Sequence, residues 1–140
     1  MEDFVSFEIA KKLKEKGFTC KYPFAMYNEL GSYCPLTTSS DYVTSESGYK
    51  YRCYYDYNDF DENDFIAPTI SQVLKWLEDK KKIFLTVDIE PMGFFFIINY
   101  DILTNDNGEY EFNIYNSTNT YPSSIESAIE GIEYVLDNLI

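Results

Sequence analysis

Apolar positions along this chain switch between a period near 3.6 and a period of 2, and each switch marks a change of element. Ser6 stands as N-cap before Phe7, Ile9, Ala10 and Leu13, the apolar stripe of a first helix. Gly17 followed by apolar Phe18 reads as a Schellman close, with Lys14 and Lys16 near the carbonyl end. Periodicity lapses over 19–48, where Pro23, Gly31, Pro35 and the polar run LTTSSDYVTSESG predict irregular strand and loop. In YKYRCYY (49–55), Tyr49, Tyr51, Cys53 and Tyr55 share one side while Lys50, Arg52 and Tyr54 take the other, a strand with one wetter face.

A second helix opens in APTISQVLKWLEDKKK, where Pro68 precedes Thr69 and the Thr69–Gln72 spacing is that of a capping box. Ile70, Val73, Leu74 and Leu77 form its stripe. Trp76 lies off the centre of that stripe, either packed on the helix flank or exposed to a partner. Three strands follow: IFLTVDIE (83–90), GFFFIINYDIL (93–103) and YEFNIYN (110–116). Ile83, Leu85, Val87 and Ile89 share one face of the first, and Thr86, Asp88 and Glu90 the other. Phe94 to Ile98 are apolar on both faces, which predicts a central strand covered on both sides for part of its length. Pro91, Met92 and Gly93 make one turn, and Asn107-Gly108 predicts a two-residue type I′ hairpin.

The closing segment SSIESAIEGIEYVLDNLI places Ile125, Ala128, Ile129, Ile132, Val135, Leu136 and Leu139 on one helix face. Ser123 and Glu126 form a second capping box, and Glu130, Glu133 and Asp137 take the wet side. Gly131 costs about 1 kcal/mol against alanine in a helix, which is explained if the helix closely approaches the sheet there.

No repeat, long linker or compositional break divides residues 1–140, so one α+β domain is expected. Its order is α-β-β-α-β-β-β-α, with a mainly antiparallel sheet and helices packed on one face. From Pro68 onward the order is similar to that of double-stranded RNA-binding domains. Those need lysines at the start of the last helix, and SSIESAIE has none, so the likeness concerns topology alone. The segments VSFEIAKKLKEKGF, APTISQVLKWL and SIESAIEGIEYVLDNLI resemble a family of small proteins from gut bacteria and their phages and mobile elements. That resemblance rests on caps and apolar stripes and carries no activity to transfer.

Composition narrows the function classes. Aromatic residues are 19% of the chain, with 14 Tyr and 11 Phe, which favours a ring-rich sheet protein. The net charge is −13, and Lys82 is the last cation. Beyond it stand Asp88, Glu90, Asp101, Asp106, Glu109, Glu111, Glu126, Glu130, Glu133 and Asp137, so this half repels phosphate and direct nucleic-acid binding is not expected. The longest apolar run, GFFFII, is too short for a membrane span, and the start has no secretory pattern. With no histidine, histidine triads and the usual zinc sites are excluded. Three cysteines, Cys20, Cys34 and Cys53, form neither an even framework nor a ligand pair, which predicts thiols in a cytoplasmic setting.

The chemistry to be weighed centres on YYDYNDFDENDF (54–65), five rings and five carboxylates without a cation. Asp59, Asp61 and Asn63 alternate like the first ligands of an EF-hand, but Asp64 stands where glycine is needed and Ile70 where the closing glutamate belongs. A polar connector anchored by Phe60 and Phe65 is the better reading, and no metal or cofactor is expected. The expected function is a protein-interaction module with Tyr54, Tyr57, Asp59, Asp61, Glu62, Asp64 and Trp76 as its candidate surface. Two alternatives stand beside it: a nucleic-acid mimic that occupies a basic partner, and an enzyme using paired carboxylates. Strand 49–55 is a candidate edge for pairing with a second copy.

Overall fold

The computed structural model describes residues 3–20, 23–35, 42–44, 50–52 and 62–140, with backbone alone for 42–44 and 50–52. Its architecture is α+β with antiparallel sheets. The chain divides into two compact units, Phe4–Thr69 and Ile70–Ile140, the latter joined by the residues before Phe4. No change in composition marks the Thr69 boundary.

In the first unit, α1 (Phe7–Glu15) starts where Ser6 Oγ accepts the Ile9 N–H at 3.3 Å. Its close is the expected Schellman motif. Gly17 has φ 82°, its N–H donates to Lys14 O, and the Phe18 N–H reaches back to Leu13 O at 2.9 Å. Ile9, Ala10 and Leu13 are buried as the apolar spacing predicts. A three-stranded antiparallel sheet has the order β2 (Tyr33–Pro35), β1 (Ala25–Tyr27), β5 (Phe65–Ile66). The turn between β1 and β2 is held by Asn28 Oδ1, which accepts the N–H groups of Leu30 and Ser32, both at 2.9 Å. β3 (Tyr42–Thr44) and β4 (Lys50–Arg52) form a separate antiparallel pair. The candidate self-pairing strand thus has one side taken within its own chain; Cys53, Tyr54 and Tyr55 lie outside the described residues.

The second unit begins with α2 (Ile70–Trp76), whose last turn widens over Leu77–Lys81 so that the Lys82 N–H returns five residues to Leu77 O. The buried residues here are Ile70, Val73, Trp76 and Leu77. Leu74 is only half-buried, which corrects the stripe, and Trp76 is 6% exposed, which agrees with its packed reading and removes it from the candidate surface. Trp76 stands three residues after Val73 and so continues the inner row, which moves the stripe one position along the helix.

β6 (Phe84–Glu90), β7 (Gly93–Thr104) and β8 (Tyr110–Asn116) form a meander with β7 in the centre. The turn into β8 differs from the two-residue type I′ expectation. Gly108, with φ 78°, donates to Asn105 O, and the Asn105 N–H donates to Glu109 O at 2.8 Å, so the loop holds three residues. Asn107 has no positive φ; Asn105 Oδ1 accepts the N–H groups of Asn107 and Glu109 at 2.9 and 3.0 Å, which favours a type I turn ended by glycine. β7 also carries a bulge between Tyr100 and Leu103, with Asp101 at φ 54°.

α3 (Ser124–Asn138) is capped by Ser123 Oγ, which accepts the Glu126 N–H at 3.1 Å. Its buried residues are Ser127, Ala128, Gly131, Ile132, Val135 and Leu136, whereas Ile125 is 43% exposed. The inner stripe is therefore centred on Gly131 rather than on the bulkier row read from the sequence. A Cβ at Gly131 would stand 2.6 Å from Leu85 Cδ1 and 3.1 Å from Phe96 Cγ, so the close approach is real. Ser117 ends the β8 ladder with its side chain: its N–H donates to Phe96 O while its Oγ accepts the Phe96 N–H at 3.1 Å. The chain then rejoins β7 where Phe94 and Tyr121 exchange backbone bonds.

Candidate functional site

Period-two alternation gives the β6–β7–β8 sheet two unlike faces. Cross-strand partners share a face, so Leu85, Ile98 and Tyr115 form one row, with Val87 and Phe96 in the next, all on the side covered by α3. Leu85, Phe96 and Ile98 are buried there. Around Phe96 lie Tyr115, Tyr121 and Tyr134, and the Tyr115 and Tyr134 rings stack at 3.9 Å and 11°. Tyr134 holds its proton above the ordinary tyrosine range, first through burial and then through Tyr115 and Tyr100. Tyr121 is raised by burial, Glu130 and Tyr115, with a hydrogen bond to Asn119 acting in the other direction.

The opposite face has no helix on it among the described residues. Its rows are Phe84, Asn99 and Ile114, then Thr86, Ile97 and Asn116, then Asp88 and Phe95. Phe84 is 37% exposed, Phe112 47% and Ile114 58%, while Phe95 and Ile97 are half-buried by their neighbours. Apolar and amide side chains thus alternate across an open surface bordered by Asp88 and Glu90. The expectation that Phe94–Ile98 is covered on both sides holds for the α3 side alone among these residues. Alternation in the sequence predicts two faces, and only the placement of α3 says which one stays open.

The acidic candidate stretch is placed in part. Tyr54, Tyr57, Asp59, Asp61 and Phe60 lie outside the described residues. Glu62 and Asp64 edge a concavity of about 430 Å³ in the first unit, walled by Ala10, Phe18, Met26 and Ile66. The Lys14 ammonium donates to the backbone oxygens of Glu62 and Asp64 and stands 4.7 Å from the Phe65 ring centroid. Lys14 therefore ties the end of this stretch to α1, a role its sequence position at the helix end does not reveal. Beside it, Phe7 meets Tyr27 and Phe65 edge-on at 5.5 and 5.3 Å, and the Tyr27 hydroxyl donates to Val5 O at 2.6 Å. Burial and then Tyr33 raise the Tyr27 pKa.

For the paired-carboxylate reading, Asp101 and Glu111 line one concavity of the second unit together with Lys81 and Lys82. Each acid is held by an amide: Asn113 Nδ2 donates to Asp101 Oδ2 at 3.3 Å, and Asn105 Nδ2 to Glu111 Oε1 at 3.4 Å. No group of three or more metal-ligating side chains occurs among the described residues, and no helix among them is long and apolar enough to cross a membrane. No protein-family model, curated protein or solved structure matches this chain.

Proposed function

We propose that this chain is an acidic protein-interaction module that works through the open face of the β6–β7–β8 sheet. The observation that carries the reading is the row of exposed Phe84 and Ile114 flanking Asn99, continued by Ile97 and Phe112. Apolar centres with polar borders are what protein interfaces present, and aromatic side chains are enriched at their cores. The acids after Lys82 add selection for a cationic partner. A cytoplasmic accessory role goes with this reading. A mimic of nucleic acid is the second reading, favoured by Glu126, Glu130, Glu133 and Asp137 spaced along α3.

The test is affinity capture by the full chain at low and high salt, repeated with Phe84→Ser and Ile97→Thr. Partners kept at high salt and lost with these variants support the apolar face. Partners lost with salt and indifferent to both variants favour the mimic instead.

A further inference from the structure

The two outer strands of the β6–β7–β8 sheet have unlike free edges. Pairing of Glu90 with Gly93 across the turn leaves Leu85, Val87 and Ile89 with backbone groups directed away from β7. On that edge the Ile89 N–H donates to Asp88 Oδ1 at 2.8 Å, so the strand's own carboxylate occupies it. Along β8 the bond from the Ser117 N–H to Phe96 O fixes the alternation. Asn113 and Tyr115 face β7, and Phe112, Ile114 and Asn116 turn their N–H and C=O groups outward. Among the described residues nothing meets these outward groups. β8 also lacks the lysines and prolines that commonly guard an edge.

We propose that the free edge of β8 is a strand-addition site for an extended segment of a protein partner in which lysine or arginine alternates with aliphatic residues. This rests on the interaction-module reading and names its partner. Two observations set the alternation. Phe112 and Ile114, exposed on the open face, call for aliphatic neighbours on the added strand. Glu109 and Glu111, exposed and one position out of step with them, call for cations on its other face. A second copy would bring more carboxylates to an edge whose unit has no cation after Lys82, so it is the less favoured occupant.

The experiment uses the full chain and the labelled peptide Lys-Val-Lys-Val-Lys-Val-Lys, read by fluorescence anisotropy and by amide exchange. The peptide is expected to bind and to slow exchange of the Ile114 and Asn116 amides. Ile114→Pro, which removes an N–H that β7 does not use, weakens binding by about tenfold or more, whereas Ile114→Val, which keeps that N–H and an aliphatic side chain, weakens it far less. Should the proline variant fail to fold, the same peptide with N-methylated valines decides the matter, because it keeps the charges and cannot add as a strand. Equal binding of the N-methylated peptide overturns the proposal, and so does an unaltered affinity for folded Ile114→Pro. A doubled mass in solution without peptide that Ile114→Pro returns to the single-chain value assigns the edge to a second copy and also overturns it. Phe84→Ser lies away from this edge: partner loss there with no effect of Ile114→Pro removes strand addition and leaves the interaction module standing.

Discussion

The two faces of one sheet receive different treatment from the same three strands. Under α3, Leu85, Phe96 and Ile98 are buried and Gly131 lets the helix backbone come within contact of their side chains. On the other face, Phe84, Phe112 and Ile114 are as apolar, yet they meet solvent. Hydrophobicity alone therefore does not separate core from surface here; what separates them is whether a small residue allows a helix to close over the strand. The covered face should govern stability, and the open face should govern association.

The largest effect expected on this comparison comes from Phe96→Ala. Phe96 is 3% exposed and touches three tyrosine rings, so its removal should cost about 3–5 kcal/mol in denaturant unfolding. A cost below about 1 kcal/mol would show that the tyrosines collapse into the space and that the covered face is not tightly packed. Next is Gly131→Ala, in which about 1 kcal/mol of helix propensity is set against a contact of 2.6 Å with Leu85. Net destabilisation of about 1–2 kcal/mol is expected, to be relieved by adding Leu85→Val. A simple gain in stability would mean that α3 rides higher on the sheet than the Leu85 contact indicates.

Alkaline titration probes the same face more gently. Tyr121 and Tyr134 bind their protons more tightly folded than unfolded, so stability is complete below the ordinary tyrosine pKa, about 10, and falls as pH rises through the raised values. Thermal unfolding between about pH 8 and 12 should follow that course, with part of the phenolate absorbance appearing late. The smallest effect belongs to the open face: Ile114→Thr should change stability by no more than about 0.5 kcal/mol. A much larger loss would mean that this face is covered.

Local signals proved legible where one residue answers one local demand. Ser6, Gly17, Phe18 and Ser123 sit in the caps that their positions predict, because capping is decided within a few residues of chain. The three strands of the meander were equally plain, since alternation and turns are local as well. Asn107-Gly108 misled because Asn105, two positions earlier, takes the turn's amides and favours a different loop. Stripe centres were harder: Trp76 replaces Leu74 and Gly131 replaces Ile125, since the centre depends on what a helix meets across space. The candidate surface was hardest to read, because Phe84 and Leu85 differ only in parity until α3 has chosen a side.

Ser117 gives the middle strand a different sort of security. By accepting the Phe96 N–H at its hydroxyl oxygen and donating its O–H to Asn119 O, it lets β8 stop while β7 stays bonded, and Tyr121 takes over at Phe94. The seam is thus spliced from two pieces of chain that both run antiparallel to β7, with Thr118 to Thr120 looping out between them. Loosening β8 from its hairpin end would run into this splice before reaching Phe94, and the strand that anchors both faces would keep its partner on that side.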